Sequence, residues 1–328
     1  VAIVDLDYET AVKTAEEIAA ATGRKVVALK CDVTDEEQVQ KMVDEVVGQL
    51  GGLDFCHANA GIAINAPAEE MTYAQWQFEK GADTIACYED RYTPEEMFSG
   101  KTVLDMGCGA AGKSLYYVSL GAESVPGVDI VAHYEAEANA FAEQLGYADR
   151  FRFVCASAFE LPFPDGSFDT IIMNDFVEHV SEPERALFEA IRLLKPGGRI
   201  FANFPPYYHP TGAHMSDVIY MPWVQLFFTE KQLIAAYREL VKGLPDEQER
   251  LALRFSVDEN GEERFTYINR MTLKRFQKIL KSLGITPEYY REIPLRGYFK
   301  PLAKLPAAKE MFVKMAVCVI RKPILENP

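Results

Sequence analysis

The chain has 328 residues, of which 48% are hydrophobic and 25% are charged. This length and composition predict about two folded domains and exclude a disordered or fibrous chain. A formal net charge of −15 argues against a general electrostatic grip on nucleic acid or on an anionic membrane surface. No apolar run reaches the roughly 18 residues that a membrane-spanning helix needs, and no signal-like leader opens the chain. We therefore expect neither nucleic acid nor membrane as a partner.

Cysteine usage and the spread of charge give two further expectations. The six cysteines form no CxxC pair, which is typical of reduced thiols in a cytoplasmic protein. The sequence opens on Val1 rather than Met, which allows for residues ahead of it. Residues 1–76 carry 14 acidic and 5 basic side chains, a net charge of −9, which leaves −6 for the other 252 residues. This contrast indicates a fusion of two segments of different character.

The first segment, residues 1–75, alternates strand and helix patterns. The apolar run VAIVDLD is followed by helical spacing from Tyr8 to Thr22. The β-rich run KVVALKCDV precedes a helix that Thr34 opens, and LDFCHANAG supplies a third strand. Strands that alternate with helices predict a small parallel βαβαβ unit, a partial Rossmann fold.

The order of these pieces resembles the middle of a short-chain dehydrogenase/reductase. The resemblance rests on Asp5 at a strand end, Asp32 in the CDV triplet and the NAG triplet at 59–61. In that family Asp5 would contact the adenosine ribose, Asp32 the adenine side, and the NAG turn would flank the cofactor. The family's glycine-rich phosphate loop and its catalytic Tyr-x-x-x-Lys are both missing. We therefore expect a non-catalytic fragment, whose open sheet edge could pair with another copy and form a homo-oligomer.

A glycine turn between two strands marks the second segment. Residues 76–99 are predicted as an acidic helical connector with a turn at Thr93–Pro94. From residue 101 the sequence KTVLDMGCGAAGKSLYYVSLGAESVPGVDI predicts a buried strand, a turn, a helix and a second strand. The turn holds a G-x-G-x-x-G pattern, in which Gly107 and Gly109 let a ligand approach the backbone closely.

Two aspartates flank this turn. Asp105 lies two residues before the first glycine, a position that suits a ligand with a cationic amino group. Asp129 ends the second strand, where its two oxygens can accept hydrogen bonds from both hydroxyls of a ribose. The pattern therefore predicts a nucleotide-like ligand that carries an amino group.

Downstream motifs extend the pattern. VLDMGCGAAG, GVDI, LPFPDGSFDTIIMND and LLKPGG follow one another within residues 100–204, and this order and spacing resemble a class I S-adenosylmethionine-dependent methyltransferase. EYYREIPL and FVKMAVCVI, within residues 285–322, resemble that family's closing antiparallel hairpin. The resemblance implies an α/β fold with a Rossmann-like doubly wound sheet, and S-adenosyl-L-methionine as the cofactor of a methyltransferase.

The resemblance also implies which residues bind the cofactor. The methionine part would meet Asp105, Gly107, Gly109 and Asn174, the ribose Asp129 between Val128 and Ile130, and the adenine Ser157, Ala158 and Phe159. For Asn174 the contact would use the backbone or the side chain, at the amino group of the methionine. Ser157 stands where the family often has Asp, which weakens the expected adenine contact. The stretch Leu194–Gly198 is expected as a structural turn.

Residues 205–284, between the fifth strand and the closing hairpin, are predicted as an α+β lid over the substrate. Helices are predicted over 230–242 and 272–284, with a hairpin centred on Asn260–Gly261 in a type I′ turn. NFPPY at 203–207 is similar to the N-P-P-Y signature of methyltransferases that act on amino groups. It follows the fifth strand instead of the fourth and carries an extra Phe, so we interpret it as a proline-stiffened strand exit.

Aromatic and histidine side chains crowd the first part of this lid and predict a pocket for a small, largely apolar or aromatic acceptor. The candidate substrate residues are Tyr207, Tyr208, Tyr220 and Trp223. If the acceptor is a hydroxyl, His179, His209 and His214 are candidate catalytic bases, and simple packing is the alternative for each. No metal is expected, because the H-x4-H-x2-D spacing of His209, His214 and Asp217 is not an established ligand pattern.

The sequence thus predicts a cytoplasmic methyltransferase that acts on a small-molecule substrate and carries a reductase-like fragment at its N-terminus. Two alternatives stay open. One is a bifunctional reductase–methyltransferase completed by further residues or by another chain. The other is a methyltransferase fold that binds the cofactor without transferring from it.

Overall fold

A computed structural model describes residues 1–33, 35–54, 56, 71–266, 268–306 and 308–324. Contacts divide the chain into two units, Val1–Asn65 and Ala66–Pro328. This division lies earlier than the predicted boundary at residues 75 and 76, because the helix Tyr73–Glu79 packs against other helices of the second unit. Among the described residues, none of the helices combines the length and the apolar character needed to cross a bilayer.

The described residues of the first unit form two parallel strands and two helices. They are β1 (Ala2–Asp5), α1 (Tyr8–Thr22), β2 (Val27–Lys30) and α2 (Glu36–Leu50). The strands β1 and β2 pair in parallel, as predicted, and α1 has the predicted bounds.

The start of α2 differs from the prediction. The carboxylate of Asp35 accepts hydrogen bonds from the backbone N–H groups of Glu37 and Gln38, so Asp35 caps the helix in place of Thr34. Thr34 itself lies outside the described residues, as do the NAG triplet at 59–61 and most of the predicted third strand.

The second unit is built on a seven-stranded sheet and a separate two-stranded one. Its strands are β3 (Val103–Met106), β4 (Val125–Asp129), β5 (Phe151–Cys155), β6 (Phe168–Asn174), β7 (Leu194–Phe204), β8 (Phe255–Val257), β9 (Glu263–Phe265), β10 (Tyr289–Pro294) and β11 (Val313–Arg321). The large sheet has the order β10-β11-β7-β6-β3-β4-β5. Strands β3 to β7 run parallel, and β11 is antiparallel to both β7 and β10. The predicted doubly wound sheet with a closing antiparallel hairpin is therefore confirmed.

Helices surround this sheet. They are α3 (Tyr73–Glu79), α4 (Gly81–Ile85), α5 (Pro94–Phe98), α6 (Gly112–Ser119), α7 (Tyr134–Gln144), α8 (Pro183–Leu193), α9 (Val224–Phe227), α10 (Glu230–Val241), α11 (Glu247–Arg254), α12 (Leu273–Ser282) and α13 (Lys309–Phe312). The main core buries apolar side chains of the central strands against α8 and α12, among them Leu104, Ile171, Leu187 and Phe276. Their burial removes apolar surface from water and thereby stabilises the unit.

The chain order of the parallel strands places a switch point between β3 and β6. Strand β3 is followed in the chain by β4 on one side, while β6 and β7 lie on its other side. In open parallel sheets, ligands bind beyond the carboxyl ends of the strands at such a reversal. The turns that follow β3 and β6 are therefore the ones to inspect for a site.

Two predicted turns are corrected by the structure. Thr93 is the N-cap of α5 in a capping box with Glu96, so the predicted turn at Thr93–Pro94 is a helix start. The predicted turn at Leu194–Gly198 is an irregular part of β7, since Phe168 pairs with Leu194 and Thr170 with Arg199. Pro196 and the positive φ of Gly197, +83°, explain why the turn pattern produces this local distortion within one long strand.

The hairpin of β8 and β9 also departs from the predicted turn type. Within its loop the left-handed φ, +78°, is confined to Gly261, whereas a type I′ turn needs positive φ at two central residues. The carboxylate of Asp258 instead accepts hydrogen bonds from the N–H groups of Asn260 and Glu262 and closes a longer loop. The predicted helices of this region are present as α10 and α12.

Candidate active site

The glycine turn after β3 is closely packed at Gly107, where it has no room for a side chain. Gly107 has a φ of +81°, and a Cβ there would lie 2.6 Å from Cδ2 of Phe176, which follows β6. Gly109 has a φ of +56°, and its Cβ would lie 3.1 Å from Nε2 of Gln77. Only glycine combines this backbone conformation with this close approach. The turn therefore presents bare backbone at the switch point.

Asp105 is a buried acid directly beneath this turn. Its side chain is 4% exposed, and one carboxylate oxygen accepts a hydrogen bond of 2.6 Å from Oγ of Ser114. Burial raises the pKa of Asp105 to about 6, and the negative charge of Asp129 adds to this rise, while Ser114 and Lys113 oppose it. A buried carboxylate in this state gains strongly from a cationic partner.

Asp129 fastens the glycine turn to the loop after β4. Its Oδ2 accepts a hydrogen bond of 2.9 Å from the N–H of Gly109, and its Oδ1 accepts one of 3.0 Å from the N–H of Val131. Each carboxylate oxygen keeps capacity for a further hydrogen bond, such as one from a ribose hydroxyl. Ile130 is 63% exposed beside it, an apolar side chain available to a ligand at the surface.

The predicted adenine residues follow β5, the strand next to β4. Ser157 is exposed, and its Oγ accepts a 3.4 Å hydrogen bond from the N–H of Phe159. Ala158 is buried, and the half-buried ring of Phe159 lies 5.2 Å from the guanidinium carbon of Arg185. The structure thus brings Ser157 and Phe159 to the same end of the sheet as Asp129.

Asn174 closes β6 but uses its whole side chain internally. Its Oδ1 accepts hydrogen bonds from the hydroxyl of Tyr88 at 2.5 Å and from Nδ2 of Asn203 at 2.7 Å. Its own Nδ2 donates to the carbonyl oxygen of Thr84 at 3.2 Å. Asn174 was predicted to contact the cofactor through its backbone or its side chain. Because the side chain is engaged, the backbone contact is the one that stays a prediction. Asn203 of the NFPPY run belongs to this buried network, in agreement with its interpretation as a strand exit.

Helix α3 packs against the glycine turn. The sequence predicted the turn but not this contact. Oε1 of Gln77 accepts a 3.1 Å hydrogen bond from the N–H of Gly112, and a Cβ at Gly112 would lie 1.9 Å from the carbonyl oxygen of Ala74. Glu137 in turn accepts a 2.7 Å hydrogen bond from the N–H of Ala74. The available signal was the capping-box pattern that starts at Thr72, which marks the helix but not its packing partner.

The three candidate bases fall into two places. The rings of His179 and His214 meet edge to face with centroids 4.8 Å apart, whereas Nδ1 of His209 lies 3.1 Å from Oγ1 of Thr211. Burial lowers the pKa of His209 to about 4 and that of His214 to about 3, and neighbouring positive charges contribute in both cases. Both imidazoles are therefore neutral at neutral pH and are weak proton acceptors.

The candidate substrate residues do not share one wall. The ring of Tyr207 lies under the guanidinium of Arg270 at 5.8 Å and meets Tyr208 edge to face at 5.3 Å. The ring of Trp223 instead lies 6.1 Å from that of Phe312. Tyr220 is 85% exposed, so its side chain lies at the surface. Tyr207 and Tyr208 are the pair that the structure brings together.

Two known protein families match parts of the chain. Residues 104–202 match the family described as "Methyltransferase domain". Residues 1–80 match the family described as "Enoyl-(Acyl carrier protein) reductase". Both predicted resemblances, the methyltransferase domain and the reductase-like fragment ahead of it, are therefore confirmed.

The methyltransferase domain aligns with parts of longer proteins. Sterol 24-C-methyltransferase ERG6B of Gibberella zeae is 35% identical over 99 residues, which cover 30% of this chain and 26% of that protein. A probable chloroplastic tocopherol O-methyltransferase of Oryza sativa subsp. japonica is 33% identical over 100 residues, which cover 30% and 28%. The alignment thus spans about a quarter of these curated relatives. The crystal structure of PH0226 protein from Pyrococcus horikoshii OT3 is 20% identical, with 76% of this chain and 91% of that chain covered and a TM-score of 0.46.

Proposed function

We propose that the chain binds S-adenosyl-L-methionine at the carboxyl ends of β3 and β4 and transfers its methyl group to a small-molecule acceptor. One observation carries this proposal. The buried carboxylate of Asp105 lies next to a glycine turn that has no room for a side chain at Gly107 and that Asp129 holds in place. This arrangement suits a ligand with a cationic amino group at one end and a ribose next to it.

The residues fit the cofactor part by part. Asp105 offers the amino group a buried negative charge, and the positive φ of Gly107 and Gly109 shapes the turn next to it. Asp129 keeps acceptor capacity for the ribose hydroxyls. Ile130 and Phe159 supply apolar surface on the adenine side, where Ser157 offers an uncharged acceptor.

Bound S-adenosylmethionine supplies an electrophilic methyl group, to which the acceptor forms a bond as the bond to sulfur breaks and sulfur keeps the electron pair. The task of the chain is to align the acceptor with that methyl group, and good alignment of two reactants can contribute roughly 7–11 kcal/mol. A hydroxyl acceptor also has to lose its proton. The lowered pKa values of His209 and His214 make these two poor bases, which leaves His179 or a means other than a histidine base.

The acceptor class is a small and largely apolar compound. The aromatic pair Tyr207 and Tyr208 supports this, because aromatic side chains supply large contact areas with a polar tip. The two curated relatives are named for sterol and tocopherol methylation, and both names denote apolar acceptors.

A turnover assay tests the proposal. The full chain is incubated with methyl-labelled S-adenosylmethionine and a panel of phenols, quinones, amines and carboxylates. Transfer of label to at least one panel member, with matched formation of S-adenosylhomocysteine, is expected. Saturable cofactor binding without transfer to any panel member favours the non-catalytic alternative. Micromolar binding of NADH favours the bifunctional alternative.

A further inference from the structure

Three side chains of types that can ligate a metal lie together beside the turn that follows β6. Glu178, His179 and His214 each offer one ligand atom, and these atoms lie within 4.8 Å of one another. Within the described part of the chain, this is the one such group of His, Cys, Asp and Glu side chains. The group is distinct from the combination of His209, His214 and Asp217 considered from the sequence. Asp217 forms ion pairs with Arg250 and Arg254.

Glu178 gives an independent sign of a missing ligand. Its side chain is 2% exposed, and neither carboxylate oxygen has a hydrogen-bond partner among the described residues. Nε2 of His179 lies 3.8 Å from Oε1 of Glu178. Leaving a buried carboxyl group without donors is costly, and a bound cation would satisfy both oxygens.

The lid holds the cluster in shape. The N–H of Asn269 donates to the carbonyl oxygen of Glu178 at 2.8 Å, and its side-chain amide donates to the carbonyl oxygens of Val177 and Val180 at 2.6 and 2.7 Å. His214 approaches from the other part of the lid with a φ of +52°. These hydrogen bonds fix the backbone at Glu178, so the cluster is held by contacts between separate segments of the chain.

A small cavity lies between the two histidines. Its volume is about 20 Å³, and it is lined by His179, Ala213, His214, Arg254, Phe265 and Ile268. A volume of this size holds about one water molecule, and it lies on the side of the cluster that the two histidines line. The charge of Arg254 opposes a cation here, but its guanidinium is paired with Asp217 at 3.2 Å.

We propose that Glu178, His179 and His214 bind a divalent transition-metal ion. Two imidazoles and one carboxylate form a ligand set that such ions accept while keeping positions open for other ligands. Metal–ligand distances of roughly 2.0–2.2 Å place neighbouring ligand atoms about 3 Å apart, so the three atoms, which lie within 4.8 Å of one another, would have to move closer together around an ion. The proposal departs from the sequence-based expectation of no metal.

The position of the cluster assigns the ion a role, and this step rests on the proposed function. Glu178 lies two residues after Phe176, whose ring covers the backbone of Gly107 in the proposed cofactor site. An ion beside that site has open positions for an oxygen of the acceptor. Because a metal ion lowers the pKa of a hydroxyl bound to it, the proton can leave to water without a histidine base. The acceptor class is then a hydroxyl compound that can ligate a metal, such as a catechol.

Metal binding is measured on the full chain without cofactor or acceptor, so that its outcome is independent of methyl transfer. Co²⁺ serves as the probe, followed by its visible d–d absorption, with Zn²⁺ as the competitor. We expect one equivalent of Co²⁺ per chain, displaced by Zn²⁺. E178Q, which keeps the shape of the side chain, and H214A should each weaken binding at least tenfold. His209→Ala, which removes a lid histidine outside the cluster, should leave the affinity unchanged.

Two results overturn the metal proposal. One is no saturable Co²⁺ binding by the chain. The other is binding that E178Q and H214A leave intact, as with a site formed by surface thiols. Thermal unfolding of each variant confirms that it is folded. A parallel titration with S-adenosylmethionine separates the two claims, because wild-type cofactor binding without metal binding refutes only the metal site. Absence of cofactor binding refutes the proposed function.

Discussion

Asp5 and Asp129 each end a parallel strand in a βαβ arrangement, but their surroundings differ. The carboxylate of Asp129 reaches across to the N–H of Gly109, 20 residues earlier in the chain, and so fixes a glycine turn on the neighbouring strand. The carboxylate of Asp5 accepts a hydrogen bond of 3.0 Å from Asp7, only two residues on. The carboxylate of Asp129 thus joins two neighbouring strands, whereas the hydrogen bond of Asp5 stays within its own strand end, and this difference supports the proposed nucleotide site at Asp129.

The largest expected loss of cofactor affinity comes from replacing Asp129. Asp129→Ala removes the anchor of Gly109 and the two hydrogen bonds proposed for the cofactor ribose, and each charge-assisted bond is worth about 1.5–3 kcal/mol. Affinity for S-adenosylmethionine should fall by about a hundredfold or more, as measured by calorimetry. Asp5→Ala is the matched control and should leave that affinity unchanged. A loss under threefold in Asp129→Ala contradicts the ribose assignment.

Asp105→Asn separates binding from stability. It keeps an acceptor for Ser114 but removes the charge that faces the amino group, so cofactor affinity at pH 7.5 should fall by about ten- to a hundredfold. Burial raises the pKa of Asp105 in the folded chain from 3.8 to about 6. The free protein therefore loses stability from this group as pH rises from 3.8 to about 6, because the folded state then has to release a proton that it holds more tightly.

The same substitution should thus stabilise the free protein at neutral pH, by on the order of 2 kcal/mol, and the gain should vanish near pH 4. Urea unfolding of the free wild type and Asp105→Asn at both pH values measures this. The gain is the difference in unfolding free energy between the variant and the wild type. If this gain is no larger at pH 7.5 than at pH 4, the buried charge of Asp105 does not destabilise the wild type.

Two glycine substitutions test how closely the turn after β3 is packed. Gly107→Ala combines a φ of +81° with a Cβ 2.6 Å from the ring of Phe176, whereas Gly146→Ala meets only the cost of a φ of +71° with open space around it. We expect Gly107→Ala to destabilise the chain by about 1–3 kcal/mol more than Gly146→Ala, because of the overlap. Urea midpoints measure the difference. Equal losses argue that the turn has room for a side chain.

The smallest effect is expected from truncation. Deleting residues 1–65 removes the first unit and should change cofactor affinity less than twofold in a calorimetric titration. Deleting residues 1–79 also removes α3, with Gln77 that accepts the hydrogen bond of Gly112, and should lower both affinity and stability. The shorter deletion is the control for the longer one. A tenfold loss from the shorter deletion places the first unit in the site.

Sequence patterns predicted the sheet and placed Asp105, Asp129 and the glycine turn at the ends of its strands. The motifs VLDMGCGAAG and GVDI predicted the glycine turn, Asp105 and Asp129 because backbone conformation and buried charge demand particular residue types there. The bounds of α1 and the Thr272 cap of α12 were also predictable from local capping and spacing.

What the sequence missed depends on contacts between distant residues. Gln77 contacts Gly112 from a helix assigned to a connector, and His214 meets Glu178 and His179 across a lid. The side chain of Asn174 is engaged by Tyr88 and Asn203, which no local pattern reveals. Such pairings follow from the packing of the lid and the connector on the sheet, not from spacing within a motif.

The most direct test of the central claim is a calorimetric titration of the unmodified chain with S-adenosylmethionine, run in parallel with NADH. If the turn fastened by Asp129 is the nucleotide site, S-adenosylmethionine should bind saturably at one equivalent per chain, and NADH should give no saturable binding. Saturable binding of NADH with none of S-adenosylmethionine would contradict the account and place the working site in the first unit.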